Sequence, residues 1–124
     1  MALTKLRSEQ IEDSLSDKTL TSSTIVGSIF VLTGTSETLI IDHASGLVQM
    51  NNASANTLTV PPNSSVAFPI GTRLMVQQIG AGATTIAAGS GVTINAPTTV
   101  TLAIDEQDES RGLVKTGTDT WYLI

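Results

Sequence analysis

The chain has 124 residues, no cysteine and a formal net charge of −5. Its length predicts a single domain. Its acidic balance argues against binding to nucleic acid, because phosphate contacts need Lys and Arg to displace counterions. The lack of cysteine excludes disulfides, a thiol nucleophile and thiolate zinc sites. No apolar run is long enough to cross a membrane, and "MALTKLRSEQ" lacks the apolar core of a secretory signal.

The composition predicts a thin aliphatic core. Hydrophobic residues make up 40% of the chain, aromatic residues 3% and charged residues 14%. Valine, isoleucine, leucine and alanine bury less area per residue than aromatic side chains, and so low a charge is unusual for the surface of a soluble monomer. We therefore expect the subunit to associate with further copies rather than stand alone.

Residues 1–24 differ from the rest and are predicted to form an arm. Four apolar residues recur at spacings of about three to five: Leu3, Leu6, Ile11 and Leu15. A short helix over residues 8–15 could carry part of this narrow stripe. Helices shorter than about 12 residues are marginal in water without tertiary contacts. The arm is thus expected either to pack on its own domain or, as we favour, to become ordered against another protein.

From residue 25 onward the apolar pattern has a period of two, which is typical of strands. Ten short segments fit this pattern: "SIFVLTG", "ETLIIDH", "GLVQMNN", "NTLTVPP", "RLMVQQI", "ATTIAAG", "GVTINAP", "TTVTLAI", "GLVKTG" and "TWYLI". Their number and spacing predict an all-β domain over residues 25–124. The expected architecture is a small antiparallel β-sandwich or barrel-like domain, or interleaved sheets in an oligomer.

Proline and glycine mark the ends of these predicted strands. Pro61 and Pro62 cannot donate to a ladder and should end the strand before them. Pro69 restricts Phe68 to extended geometry before a turn at Gly71. The segment "AGSG" is predicted to be a turn between two strands, with glycine adopting a positive φ.

The sequence shows little that suggests catalysis. His43 has Asp42 beside it and Ser36 and Ser45 nearby, but the pattern around a hydrolase nucleophile is missing. We interpret His43 as a turn residue. The glycines of "GAGATTIAAGSG" match neither phosphate-binding fingerprint, so no nucleotide cofactor is predicted.

The acidic segment "DEQDES" allows two interpretations. Its carboxylates, Asp105, Glu106, Asp108 and Glu109, could serve as the acid and base of a glycosidase or as calcium ligands. Their spacing misses the calcium-loop pattern, and a solvated charged loop is the favoured interpretation. The overall prediction is a protein that is not an enzyme, with no catalytic residue, cofactor or metal.

Three segments make the chain recognisable: "TLTVPPNSSVAFPIGT", "GAGATTIAAGSGVTI" and the closing "GTDTWYL". Together they resemble a β-module that recurs in structural proteins of tailed bacteriophages, especially fibre, spike and head-decoration proteins. The opening "ALTKLRSEQIEDS" is similar to the first residues of many phage appendages. The resemblance covers about residues 37–124, apart from this leader.

The resemblance implies a non-enzymatic virion component that forms a homotrimer on the particle surface after assembly in the bacterial cytoplasm. The arm would dock on the major capsid protein or another virion protein through Leu3, Leu6, Ile11 and Leu15. The trimer would bury apolar strand faces, for which the candidates are Val76, Ile86, Val92, Ile94 and Trp121. The chain has neither a collagen-like nor a coiled-coil shaft, which favours a compact capsid decoration (cement or head-spike) protein.

Two alternatives remain open at the level of sequence. The protein could be a tail fibre or baseplate accessory that takes part in host adsorption and binds a host glycan. It could instead belong to another class, a small polysaccharide-degrading module that uses the carboxylates of the acidic segment.

Overall fold

The computed structural model describes residues 27–124, and the predicted arm with its docking residues lies outside them. The described part contains ten strands and one short 3-10 helix, Ile41–His43. The strands are β1 (Ile29–Leu32), β2 (Ser36–Thr38), β3 (Leu47–Met50), β4 (Asn56–Val60), β5 (Arg73–Gln78), β6 (Thr84–Ala88), β7 (Thr93–Asn95), β8 (Ala103–Ile104), β9 (Ser110–Gly117) and β10 (Thr120–Leu123).

Over its first six strands the chain alternates between two sheets, so that these strands form three stacked turns, which we call the coil. Strands β1, β3 and β5 lie side by side in one sheet, which we call sheet A, and β2, β4 and β6 lie in the other, sheet B. Within each sheet these neighbours are parallel. Each turn of the coil therefore contributes one strand to each sheet.

The last four strands complete the two sheets. Strand β9 pairs antiparallel with β5, and β10 pairs antiparallel with β9 and parallel with β7. Strand β8 pairs antiparallel with β6. Sheet A has the order β1-β3-β5-β9-β10-β7, and sheet B has the order β2-β4-β6-β8.

The all-β prediction is confirmed, but the prediction of antiparallel sheets is wrong. Five of the strand pairs are parallel and three are antiparallel. The physical reason is the path of the chain, which crosses to the opposite sheet after each early strand instead of turning back beside it. The predicted positive φ in "AGSG" is confirmed at Gly91, whose φ is 78°. The turn nevertheless joins strands of different sheets, β6 and β7.

One apolar core fills the space between the sheets. Sheet A contributes Val48, Met50, Leu74, Val76, Leu113, Trp121 and Leu123, and sheet B contributes Leu58, Val60, Ile86 and Ile104. These side chains alternate with outward-facing neighbours along each strand, as the period of two requires. Phe68 and Trp121 meet edge to face with ring centroids 5.5 Å apart, so two of the aromatic side chains pack together within the core.

Tight corners allow successive turns of the coil to stack. The connection 79–83 lies on the connection 51–55, where Gly82 N–H donates to the carbonyl oxygen of Asn52. A Cβ atom at Gly82 would collide with the backbone of Ser54. Beside this corner, the buried hydroxyl of Thr84 donates to Oδ1 of Asn56 at 2.6 Å. Glycine is required here by close approach of two backbones.

The predicted strand "ETLIIDH" is shorter than its pattern suggested. Strand β2 ends at Thr38, and residues 41–43 form the 3-10 helix. The backbone N–H of Leu39 still donates to the carbonyl oxygen of Thr59 on β4. The next N–H, that of Ile40, donates instead to Nδ1 of His43. The predicted proline ends are confirmed, since β4 stops at Val60 directly before Pro61 and Pro62.

Candidate interaction surface

The outer faces of the two sheets have opposite chemistry. On sheet B, strand register places Ser36, Thr57, Thr85 and Ala103 in one row and Thr38, Thr59 and Ala87 in the next. These small side chains carry mostly hydroxyl groups, which hydrogen-bond readily to water. The outer face of sheet B is therefore suited to solvent.

The outer face of sheet A carries an apolar row that crosses four strands and ends at Ile124, the residue after β10. Register aligns Ile29, Leu47, Met75 and Gly112, and backbone hydrogen bonds in both directions pair Gly112 with Ile124. The exposed fractions are 64% for Ile29, 43% for Met75 and 63% for Ile124. We call this set the apolar row. Every residue in it is apolar or glycine, so it offers water no side-chain hydrogen bond.

A groove interrupts the apolar row at Gly112. Its volume is about 470 Å³, and its lining includes Met75, Gly112, Val114, Ile124 and Arg73. A Cβ atom at Gly112 would lie 3.3 Å from Sδ of Met75 and 3.6 Å from Cβ of Ile124. Gly112 is itself buried, because Met75 and Ile124 pack closely over it. The groove beside them is large enough to receive an apolar side chain from another protein.

Further apolar side chains extend the apolar row on both sides. Val31 is 51% exposed and Tyr122 is 40% exposed, and both point to the outer face by strand alternation. Arg73 pairs with Val114 in register and gives this side of the groove a positive charge. Gln49 and Gln77 hydrogen-bond to each other at 2.9 Å on the other side, which satisfies part of their polar groups.

The structure assigns most of the residues predicted for the trimer interface to the core of a single chain. Val76 and Ile86 are fully buried, and Trp121 is 1% exposed. A second subunit could not reach these three side chains in the folded protomer. Val92 and Ile94 are partly buried and pack against the same core. The reason is geometric: alternation indicates that one face of a strand is buried, but not whether the partner belongs to the same chain.

His43 is a buried structural residue. Its Nδ1 atom accepts the Ile40 N–H at 3.1 Å, and its ring meets Phe30 edge to face at a centroid distance of 4.8 Å. Burial lowers the pKa of His43, although the charges of Asp42 and Glu37 act in the opposite direction. Because Nδ1 is engaged by the backbone, the geometry agrees with the predicted turn role.

The acidic segment forms a loop at one end of β9. Asp105, Glu106 and Asp108 are exposed, and Glu109 forms an ion pair with Arg111. The hydrogen bond from Arg111 lowers the pKa of Glu109. Among residues 27–124, no cluster of three or more acidic or histidine side chains is placed to hold a metal ion.

A buried lysine was not predicted from the sequence. Lys115 is 2% exposed, and its Nζ donates to Oδ1 of Asn63 and to the carbonyl oxygen of Phe68, both at 2.7 Å. Asp119 in turn accepts the backbone N–H of Asn63 at 2.7 Å. The signal available in the sequence was "LVKTG", where Lys115 occupies an inward position of the alternating pattern.

Comparison with known proteins gives no match to a family model, a curated protein or a solved structure. Within the described residues, no helix has the length and apolar character to span a membrane.

Proposed function

We propose that this protein is a structural component of a tailed-bacteriophage particle, a trimeric capsid decoration protein. In this proposal the β-domain associates with two further copies through the outer face of sheet A. Residues 1–24 attach the trimer to the major capsid protein or to another virion protein. The protein acts by mechanical attachment and needs no cofactor.

The observation that carries the proposal is the contrast between the two outer faces. The hydroxyl-rich face of sheet B is compatible with water, whereas the apolar row on sheet A exposes Ile29, Met75 and Ile124 together. Contiguous exposed apolar surface marks interaction sites on soluble proteins. A further copy of the same chain is the occupant we favour, because the thin aliphatic core gains stability from burying more apolar area.

Three copies around an axis is the arrangement that the resemblance to phage structural proteins implies, and a closed ring is one way to cover the outer face of sheet A. A closed ring buries an equivalent patch on every subunit, so that no subunit keeps an exposed apolar face. The groove at Gly112 would receive an apolar side chain from the neighbouring subunit. Repeated weak attachment of such trimers over a shell would then stabilise the shell through multivalency, without high affinity at any single site.

The proposal is tested by adding purified full-length protein to phage shells that lack it and counting bound copies. We expect hundreds of copies per particle, in multiples of three, and loss of binding when residues 1–20 are deleted. A dozen or two copies confined to the tail would contradict the capsid assignment and support the fibre or baseplate alternative. Full occupancy by the deleted protein would contradict the docking role of the arm.

A further inference from the structure

The strongest unexplained feature is the buried centre around Lys115. An amine buried away from water is costly unless its donors are satisfied. The Nζ atom reaches two neutral oxygens, on Asn63 and Phe68. Within residues 27–124, Lys115 has no carboxylate at ion-pair distance. A buried side-chain amine is therefore held against a side-chain amide that is partly exposed.

Two aromatic residues and one backbone hydrogen bond define the surroundings of this centre. Trp121 is the register partner of Lys115 on β10, and Trp121 packs edge to face against Phe68, with ring planes at 85°. Asn63 is fixed from the opposite side, because its backbone N–H donates to Oδ1 of Asp119. Holding two reacting groups in place in this way can replace a large part of the entropy cost of a bimolecular reaction.

We propose that Lys115 and Asn63 form an intramolecular isopeptide bond. A bond forms between Nζ of Lys115 and Cγ of Asn63, and the Cγ–Nδ2 bond of Asn63 breaks. The lysine nitrogen gives up two protons in the reaction. Both end on the leaving nitrogen, which departs as ammonium, so atoms and charge balance without an oxidant or a cofactor.

Asp119 is the group that we assign as proton carrier. Its carboxylate accepts the backbone N–H of Asn63 but lies beyond ion-pair distance of Nζ. It would therefore take up the first proton through one bridging water at the partly exposed amide, and this proton must leave the lysine before its nitrogen can attack. The proton is then delivered to the departing Nδ2. The product would link the segment after β4 covalently to β9, two positions separated by 52 residues in the chain. Such a link restricts the unfolded chain as a disulfide does.

The test is intact-mass measurement of the purified full-length protein, followed by proteolysis and sequencing of the linked peptides. We expect the mass to be lower than the sequence mass by one ammonia, and a branched peptide that joins Asn63 to Lys115. In Lys115→Met the mass should return to the sequence value. This control matters because Asn63 could also lose ammonia by cyclising onto its own backbone, and that loss would persist in the variant.

Asp119→Asn separates the proton-carrying role from a structural one. An asparagine oxygen can still accept the Asn63 N–H, so the local fold is retained while the base is removed. We expect this variant to fold, as judged by circular dichroism, but to contain a much smaller fraction of linked chains. An unchanged linked fraction would overturn the role of Asp119. A wild-type mass equal to the sequence value, or ammonia loss without the branched peptide, would overturn the bond itself, whether or not any variant folds.

Discussion

At the scale of single residues, His43 couples the stability of the fold to pH. Its ring is buried beside Phe30, and Nδ1 accepts a backbone hydrogen bond that holds the 3-10 helix. Burial lowers its pKa in the folded state below the ordinary value of 6.5. The unfolded chain therefore takes up a proton at this residue at a higher pH than the folded chain does.

Between the ordinary pKa of 6.5 and the lower pKa of the folded state, the unfolded chain binds more protons at His43 than the folded chain does. The free energy of unfolding should therefore fall as the pH is lowered from 7 through this window. His43→Asn, which keeps an acceptor near the position of Nδ1, should lose this part of the pH dependence. Urea titrations of both proteins between pH 7.5 and about 5 measure it. Identical pH profiles would contradict the buried neutral histidine.

At the scale of secondary-structure elements, the strands could be predicted but their partners could not. Alternation located β4 and β5 almost to the residue, because one face of each is buried. The same alternation occurs in parallel and antiparallel sheets, so it could not show that the chain crosses between sheets. The decisive contacts are local backbone approaches, such as Gly82 against Ser54, which leave no periodic signal.

The corner at Gly82 can be tested by adding one methyl group. Gly82→Ala places a Cβ atom against the backbone of Ser54, and backbone cannot move aside as a flexible side chain would. We expect a loss of about 1–3 kcal/mol in the free energy of unfolding, the usual cost of overpacking.

Ala81→Ser is the matched control, because Ala81 is exposed in the same connection and its substitution should change stability by less than about 0.5 kcal/mol. Denaturant titration measures both variants. Equal stability of Gly82→Ala and the control would show that the coils are not closely stacked at this corner.

At the scale of the whole molecule, the position of the candidate site could not be predicted from the sequence. Low charge and few aromatic residues predicted association, but the residues chosen for it, such as Val76 and Trp121, fill the core of one chain. The exposed residues Ile29 and Ile124 come from opposite ends of the described chain and are placed in one row only through the pairing of β1, β3, β5 and β9. No local pattern joins them.

A charge placed in the apolar row should disrupt association. Met75→Lys introduces an ammonium group beside Gly112, where a neighbouring subunit would bury it, and burying an unpaired charge is costly. We expect the concentration for half-assembly to rise at least about tenfold. Thr85→Lys adds the same charge to the outer face of sheet B and should leave assembly unchanged. Equal effects of the two variants would remove the distinction between the faces.

The proposed function requires that further copies of the chain cover the outer face of sheet A. Sedimentation equilibrium of the unmodified full-length protein at micromolar concentration tests it most directly. We predict a species with three times the mass of the 12.9 kDa chain. A folded protein that sediments at the mass of one chain across this range would contradict the claim.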